Sequence, residues 1–92
     1  MSLKEKYREY LIKKGYKQVT PSGRDSTVPD YLRRIDGICE WENITWEKLY
    51  ENIEYYCSLY EYDGPKSDLG AKSHNAYISA LRRFNEFKAS ES

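Results

Sequence analysis

The run Lys72-Ser73-His74-Asn75-Ala76-Tyr77-Ile78-Ser79-Ala80-Leu81-Arg82-Arg83-Phe84-Asn85-Glu86-Phe87 carries Ala76, Tyr77, Ala80, Leu81, Phe84 and Phe87 at three- and four-residue intervals. That spacing puts all six on one face of a helix, and a face so apolar has to be buried against other elements. Ser73 stands where an N-cap belongs; Ala76 rather than a carboxylate follows three residues later, so the capping box is incomplete. Lys72, Asn75, Ser79, Arg82 and Arg83 fall on or near the opposite face. Short polar and basic side chains backing a core-facing stripe suit a helix that packs inward and touches phosphates outward.

Three more stripes share this period. Leu3, Tyr7, Tyr10, Leu11 and Lys14 mark a first helix over about 3–14, and Gly15 supplies the left-handed residue that commonly ends one. Residues 16–25 read as a polar loop built on Pro21, Ser22 and Gly23. A second helix follows over about 27–40, capped by Ser26 or Thr27, with Pro29 tolerated in its first turn and a stripe of Val28, Tyr31, Leu32, Ile35, Ile38 and Cys39. Trp41 to Ile44 reads as a connector. Thr45 then caps a third helix over about 45–61, with Trp46, Leu49, Tyr50, Ile53, Tyr56, Cys57 and Tyr60 facing in and Glu47, Glu51, Glu54, Ser58 and Glu61 facing out. Asp63-Gly64-Pro65 breaks it, and a polar loop leads to the fourth helix over about 73–88. No segment alternates as a strand would. The expected fold is a single all-α domain over residues 1–92, a compact four-helix bundle.

Composition narrows the function classes. The 92 residues include 15 basic and 15 acidic side chains, for a net charge of zero, so the basic excess of a strong, sequence-blind nucleic-acid binder is missing. Charge is nonetheless segregated. Residues 1–24 hold Lys4, Lys6, Arg8, Lys13, Lys14, Lys17 and Arg24 against Glu5 and Glu9, whereas residues 40–63 hold Glu40, Glu42, Glu47, Glu51, Glu54, Glu61 and Asp63 against Lys48. Such a dipolar surface can orient a protein on a polyanion or pair it with a protein of opposite pattern. No apolar run reaches membrane-spanning length and no signal peptide is visible; Met1-Ser2-Leu3 reads as a leader of little weight. Cys39 and Cys57 fall on apolar stripes and read as reduced core residues of a cytoplasmic protein.

Catalysis needs converging groups, and none assemble. There is one histidine, no glycine-rich phosphate loop after a strand, and no paired carboxylates outside the third helix's solvated stripe. His74 with the two cysteines matches no zinc spacing. The chain is expected not to be an enzyme and to need neither metal nor cofactor. Of ten tyrosines, Tyr7, Tyr10, Tyr31, Tyr50, Tyr56, Tyr60 and Tyr77 lie on stripes, leaving Tyr16, Tyr55 and Tyr62 for the surface.

The segment Ser26-Thr27-Val28 through Tyr31-Leu32-Arg33-Arg34-Ile35, the helix start Ile44-Thr45-Trp46-Glu47, and the Lys72–Phe84 run ending in Ala80-Leu81-Arg82-Arg83-Phe84 together resemble the N-terminal core-binding domain of tyrosine recombinases, the phage-type integrases. The resemblance spans roughly Leu3 to Lys88. It implies a SAM-like bundle that clamps one face of duplex DNA with its second and fourth helices, in DNA recombination and integration. Carried over residue by residue, it assigns DNA contact to Arg33 and Arg34 and to Lys72, Ser73, His74, Asn75, Ser79, Arg82 and Arg83. The basic residues would neutralise phosphates, while His74, Asn75 and Ser79 would reach groove edges. The recombinase catalytic residues are not matched, so no tyrosine here takes the nucleophile's role. The alternative is a protein–protein or self-association module using the acidic third helix and exposed tyrosines.

Overall fold

The computed structural model describes residues 2–16, 27–61, 63–70 and 72–91, with the backbone alone for residues 70 and 72–75. Among the described residues there are six helices and no strand: α1 (Leu3–Lys13), α2 (Thr27–Glu42), α3 (Trp46–Glu51), α4 (Ile53–Tyr60), α5 (Ser67–Gly70) and α6 (Lys72–Glu91). The all-α class read from the stripes is the observed one. The count differs for two local reasons given below. The 16–25 loop beyond Tyr16, the Ser26 cap and Tyr62 lie outside the described residues.

α6 is the centre of the bundle: each of the other five helices packs against it, α2 and α4 most extensively. Its buried face is Ile78, Ala80, Leu81, Phe84 and Phe87, with Ala76 and Tyr77 half-buried. Tyr7 of α1 is fully buried and lies 5.0 Å from Phe84 and 5.7 Å from Phe87, ring centre to ring centre. Its hydroxyl donates to the Ala80 carbonyl at 2.9 Å, satisfying a polar group that burial would otherwise penalise. α2 runs antiparallel to α6, since Tyr77 meets Gly37 and Trp41 while Arg83 reaches Tyr31 near the other end. α4 packs along α6 as well: the Cys57 thiol donates to the Leu81 carbonyl, and Glu61 pairs with Arg82.

Local signals explain the ends. Ser2 caps α1, its hydroxyl accepting from the Glu5 N–H. Gly15 ends α1 at φ 94°, as expected. α2 continues to Glu42 instead of stopping at Glu40, because Trp41 packs on Tyr60 and Tyr77 and Glu42 accepts from Tyr60 and Lys66. Asn43, left-handed at φ 55°, then turns the chain. Thr45 caps α3 through the Lys48 N–H. The expected third helix is two, broken at Asn52 (φ −120°, ψ 30°), whose side-chain amide turns back to the Lys48 carbonyl. Ser67–Gly70 forms a short helix inside the expected polar loop. α6 already includes Lys72, so Ser73 lies in its first turn and is not its cap.

Asp36 joins three helices, accepting from Lys4 of α1 at 2.7 Å and from the Trp46 indole of α3 at 2.8 Å. Glu42 likewise ties the end of α2 to Tyr60 and to Lys66 beyond α4.

The turn after α4 closes so tightly that a Cβ on Gly64 would collide with the carbonyl oxygens of Ser58 and Leu59. Gly64→Ala should therefore cost about 2 kcal/mol or more of unfolding free energy. Gly15→Ala meets nothing and should cost only about 1 kcal/mol, through its backbone angle alone. Urea denaturation of both variants tests the contrast; an equal loss would show that the Gly64 turn relaxes freely.

Candidate nucleic-acid interface

The outer face of α6 carries Ser79, Arg82 and Arg83. Successive helix residues point about 100° apart, and the two arginines diverge accordingly. Arg82 turns to α4 and forks onto Glu61, Nε to Oε1 at 3.1 Å and Nη2 to Oε2 at 2.7 Å. Arg83 turns to the α2 side, where its guanidinium lies near Tyr31, and pairs with Glu86 one turn along. On α2, Arg34 lies over the Tyr77 ring, 5.0 Å from its centre, and reaches Asp30 at 3.2 Å. Arg33 faces outward, also against Asp30, at 3.4 Å.

Of the residues the sequence assigned to DNA, the structure thus brings Arg34 and Arg83 to the seam between α2 and α6, with Arg33 beside them through Asp30. Arg82 lies on the other flank of α6. Ser79 is half-buried on the same helix. Lys72, Ser73, His74 and Asn75 occupy its first turn, and their side chains lie outside the described residues. The sequence reading missed two kinds of participant. One is Tyr77, assigned to the core but serving as a half-buried platform under Arg34. The other is the carboxylates: Asp30, Glu61 and Glu86 stand against four guanidiniums. Asp30 and Glu86 were legible as three- and four-residue helix spacings; Glu61 was not, because it comes from another helix.

Electrostatics follow these contacts. The hydrogen bonds from Arg82 hold the Glu61 carboxyl below the usual glutamate range. The Arg82 and Arg83 guanidiniums are stabilised in turn, chiefly by their hydrogen bonds to Glu61 and Glu86.

The outer surface of α3 and the start of α4 is acidic. Glu47, Glu51 and Glu54 are exposed on α3 and α4, and Tyr55 beside them is 59% exposed. The helix break at Asn52 leaves a shallow groove of about 250 Å³ lined by Glu51, Asn52, Glu54, Tyr55 and Lys88. Tyr16, expected at the surface, is half-buried against Tyr31. Cys39 and Cys57 are buried and free. Burial, with Asp36 nearby, pushes the Cys39 thiol up to about 11; burial, with Glu61 nearby, pushes Cys57 to about 12. Among the described residues no group of three or more His, Cys, Asp or Glu side chains converges as metal ligands would, and no helix is long and apolar enough to cross a membrane.

Comparison of the chain with known protein-family models, with curated proteins and with solved structures finds no match.

Two outcomes follow from these environments. Neither thiol should react with Ellman's reagent in the native protein at neutral pH, and both should react in urea; rapid native labelling would contradict their burial. The Glu61 carboxyl, followed by carbon-13 NMR, should titrate below the ordinary glutamate range and return to it in Arg82→Gln. Because the folded value is the depressed one, its contribution to stability is present above the unfolded value and is lost as pH falls through the folded one. An unchanged Glu61 titration in the variant would show that Arg82 is not its cause.

Proposed function

We propose that this chain is a non-catalytic duplex-DNA-binding domain that holds phosphates along α6 and the neighbouring flank of α2. The observation that carries the reading is the antiparallel packing of α2 on α6, with Arg34 and Arg83 at their seam and Arg33 and Arg82 on either side. The sequence resemblance to recombinase core-binding domains supports it, and points to DNA recombination and integration in the cytoplasm as the setting. In this reading the arginines and Lys72 meet phosphates, while Ser73, His74, Asn75 and Ser79 add hydrogen bonds to the backbone or groove edges. With zero net charge and each of the four arginines already beside a carboxylate, affinity is weak and salt-dependent, on the order of micromolar or poorer at physiological salt.

A second reading has one specific observation in its favour: the exposed Tyr55 beside Glu51 and Glu54, which suits a basic protein partner. Fluorescence anisotropy of a labelled mixed-sequence duplex, at low and physiological salt, separates the two. Wild type should bind at low salt. Arg82→Ala/Arg83→Ala, checked by circular dichroism for an intact fold, should bind more weakly, with a salt slope shallower by about one for each phosphate no longer neutralised. No binding at low salt by a folded wild type would overturn the DNA reading in favour of the protein partner.

A further inference from the structure

The edge of a guanidinium that grips a carboxylate with two parallel N–H donors is the edge that grips a phosphate. Arg82 presents that edge to both oxygens of Glu61. Arg83 is committed to Glu86 through Nη1. A phosphate approaching the outer face of α6 therefore meets two guanidiniums already engaged and two carboxylates that repel it. We propose that Glu61 and Glu86 are built-in competitors for phosphate: they hold Arg82 and Arg83 in the exchangeable grip of a carboxylate, and so set how tightly and at what salt the α6 face binds a polyanion. This rests on the DNA-binding reading.

Both pairs are solvent-exposed enough to exchange. Side-chain exposure is 53% and 39% for Arg82 and Glu61, and 31% and 52% for Arg83 and Glu86. An exposed pair of this kind contributes little to folding, so its removal leaves the bundle intact, yet a ligand that must break it gives up all that it contributes. One isolated anion replaces one carboxylate and gains little. A duplex presents phosphates in a row, displaces both carboxylates together and releases condensed counterions, which a single anion cannot do. The carboxylates thereby bias the face toward polyanions.

The decisive experiment repeats the duplex anisotropy titration, at low and physiological salt, with wild type, Glu61→Gln/Glu86→Gln, and Glu47→Gln/Glu51→Gln on α3. The two variants make the same charge change, but only the first frees the α6 arginines. Circular dichroism and thermal melts establish that each is folded. Since each exposed pair is worth a factor of about five at most, the first variant should bind about tenfold more tightly, with a steeper salt slope, while the α3 variant moves about twofold or less. In an Arg82→Gln background, Glu61→Gln should bring no more than the about twofold change of the α3 variant, because the competitor has nothing left to compete for. Binding by wild type with no gain in the first variant, or equal gains in both, overturns the inference and leaves the DNA reading standing. Binding that emerges only when Glu61 and Glu86 are neutralised, with none by folded wild type at low salt, overturns the DNA reading of this chain and the inference that rests on it. No binding by any of these folded proteins at low salt overturns both.

Discussion

The packing of Phe84 among Tyr7, Trp46, Tyr50 and Phe87 is what the remaining structure depends on. Its ring centre lies 5.0 Å from Tyr7, 5.5 Å from Trp46, 6.1 Å from Tyr50 and 5.8 Å from Phe87, in tilted and edge-on arrangements that aromatic quadrupoles favour. These rings come from α1, α3 and α6, so one cluster fixes three helices at once. A large aromatic side chain buried like this contributes roughly 2–3 kcal/mol from area alone, a large share for a domain near the lower size limit of a self-sufficient core. Because the apolar stripe of α6 is consumed by the bundle, its other face has no packing role and can carry Ser79, Arg82 and Arg83.

That division also explains how a chain of zero net charge can present arginines on α2 and α6 that are each countered by a carboxylate. Arg34 rests on Tyr77 with Asp30 alongside; Arg83 lies between Tyr31 and Glu86; Arg82 is forked on Glu61. Each guanidinium is oriented by its neighbour before any ligand arrives, which limits the side-chain entropy given up on binding. The same neighbours weaken the field a phosphate feels at a distance. Orientation and attraction are traded against each other, in contrast to a cluster of uncountered lysines, which attracts strongly and positions poorly.

How far the sequence reached depended on the range of the interaction involved. Burial of Leu49, Ile53, Tyr56, Cys57 and Tyr60 was legible because helical spacing records which residues share a face. The Thr45 cap was legible because capping is local, and the same logic applied to Ser2-x-x-Glu5 would have found the start of α1. The break at Asn52 was hidden, since the stripe runs straight through it and only the side chain's bond to the Lys48 carbonyl marks it. Trp41 and Glu42 read as connector because their helical state is held by Tyr60, Tyr77 and Lys66, partners 18 or more residues away. In the candidate interface the spacing of Asp30 to Arg33 and Arg34, and of Arg83 to Glu86, was present in the sequence. Glu61 was assigned to the acidic outer stripe because periodicity gives a direction around one helix and says nothing of what stands opposite.

What stands opposite is set by the end of α4. Tyr60 is buried, and its hydroxyl donates to Glu42, which also receives Lys66. Burial and that carboxylate together raise the Tyr60 pKa, so the phenol keeps the proton it donates. The Glu61 N–H bonds the Cys57 carbonyl at 3.0 Å, and its own carbonyl accepts from Gly64 at 2.8 Å, within the turn that only glycine fits. The Glu61 backbone is therefore held on both sides, by a buried aromatic anchor and a closed turn, and from it the partly exposed carboxylate reaches Arg82. A competitor whose backbone is already fixed is more effective than one on a free loop, because the entropy of placing it was spent when the chain folded. The turn that closes the bundle at Gly64 thus fixes the backbone from which Glu61 reaches the outer face of α6.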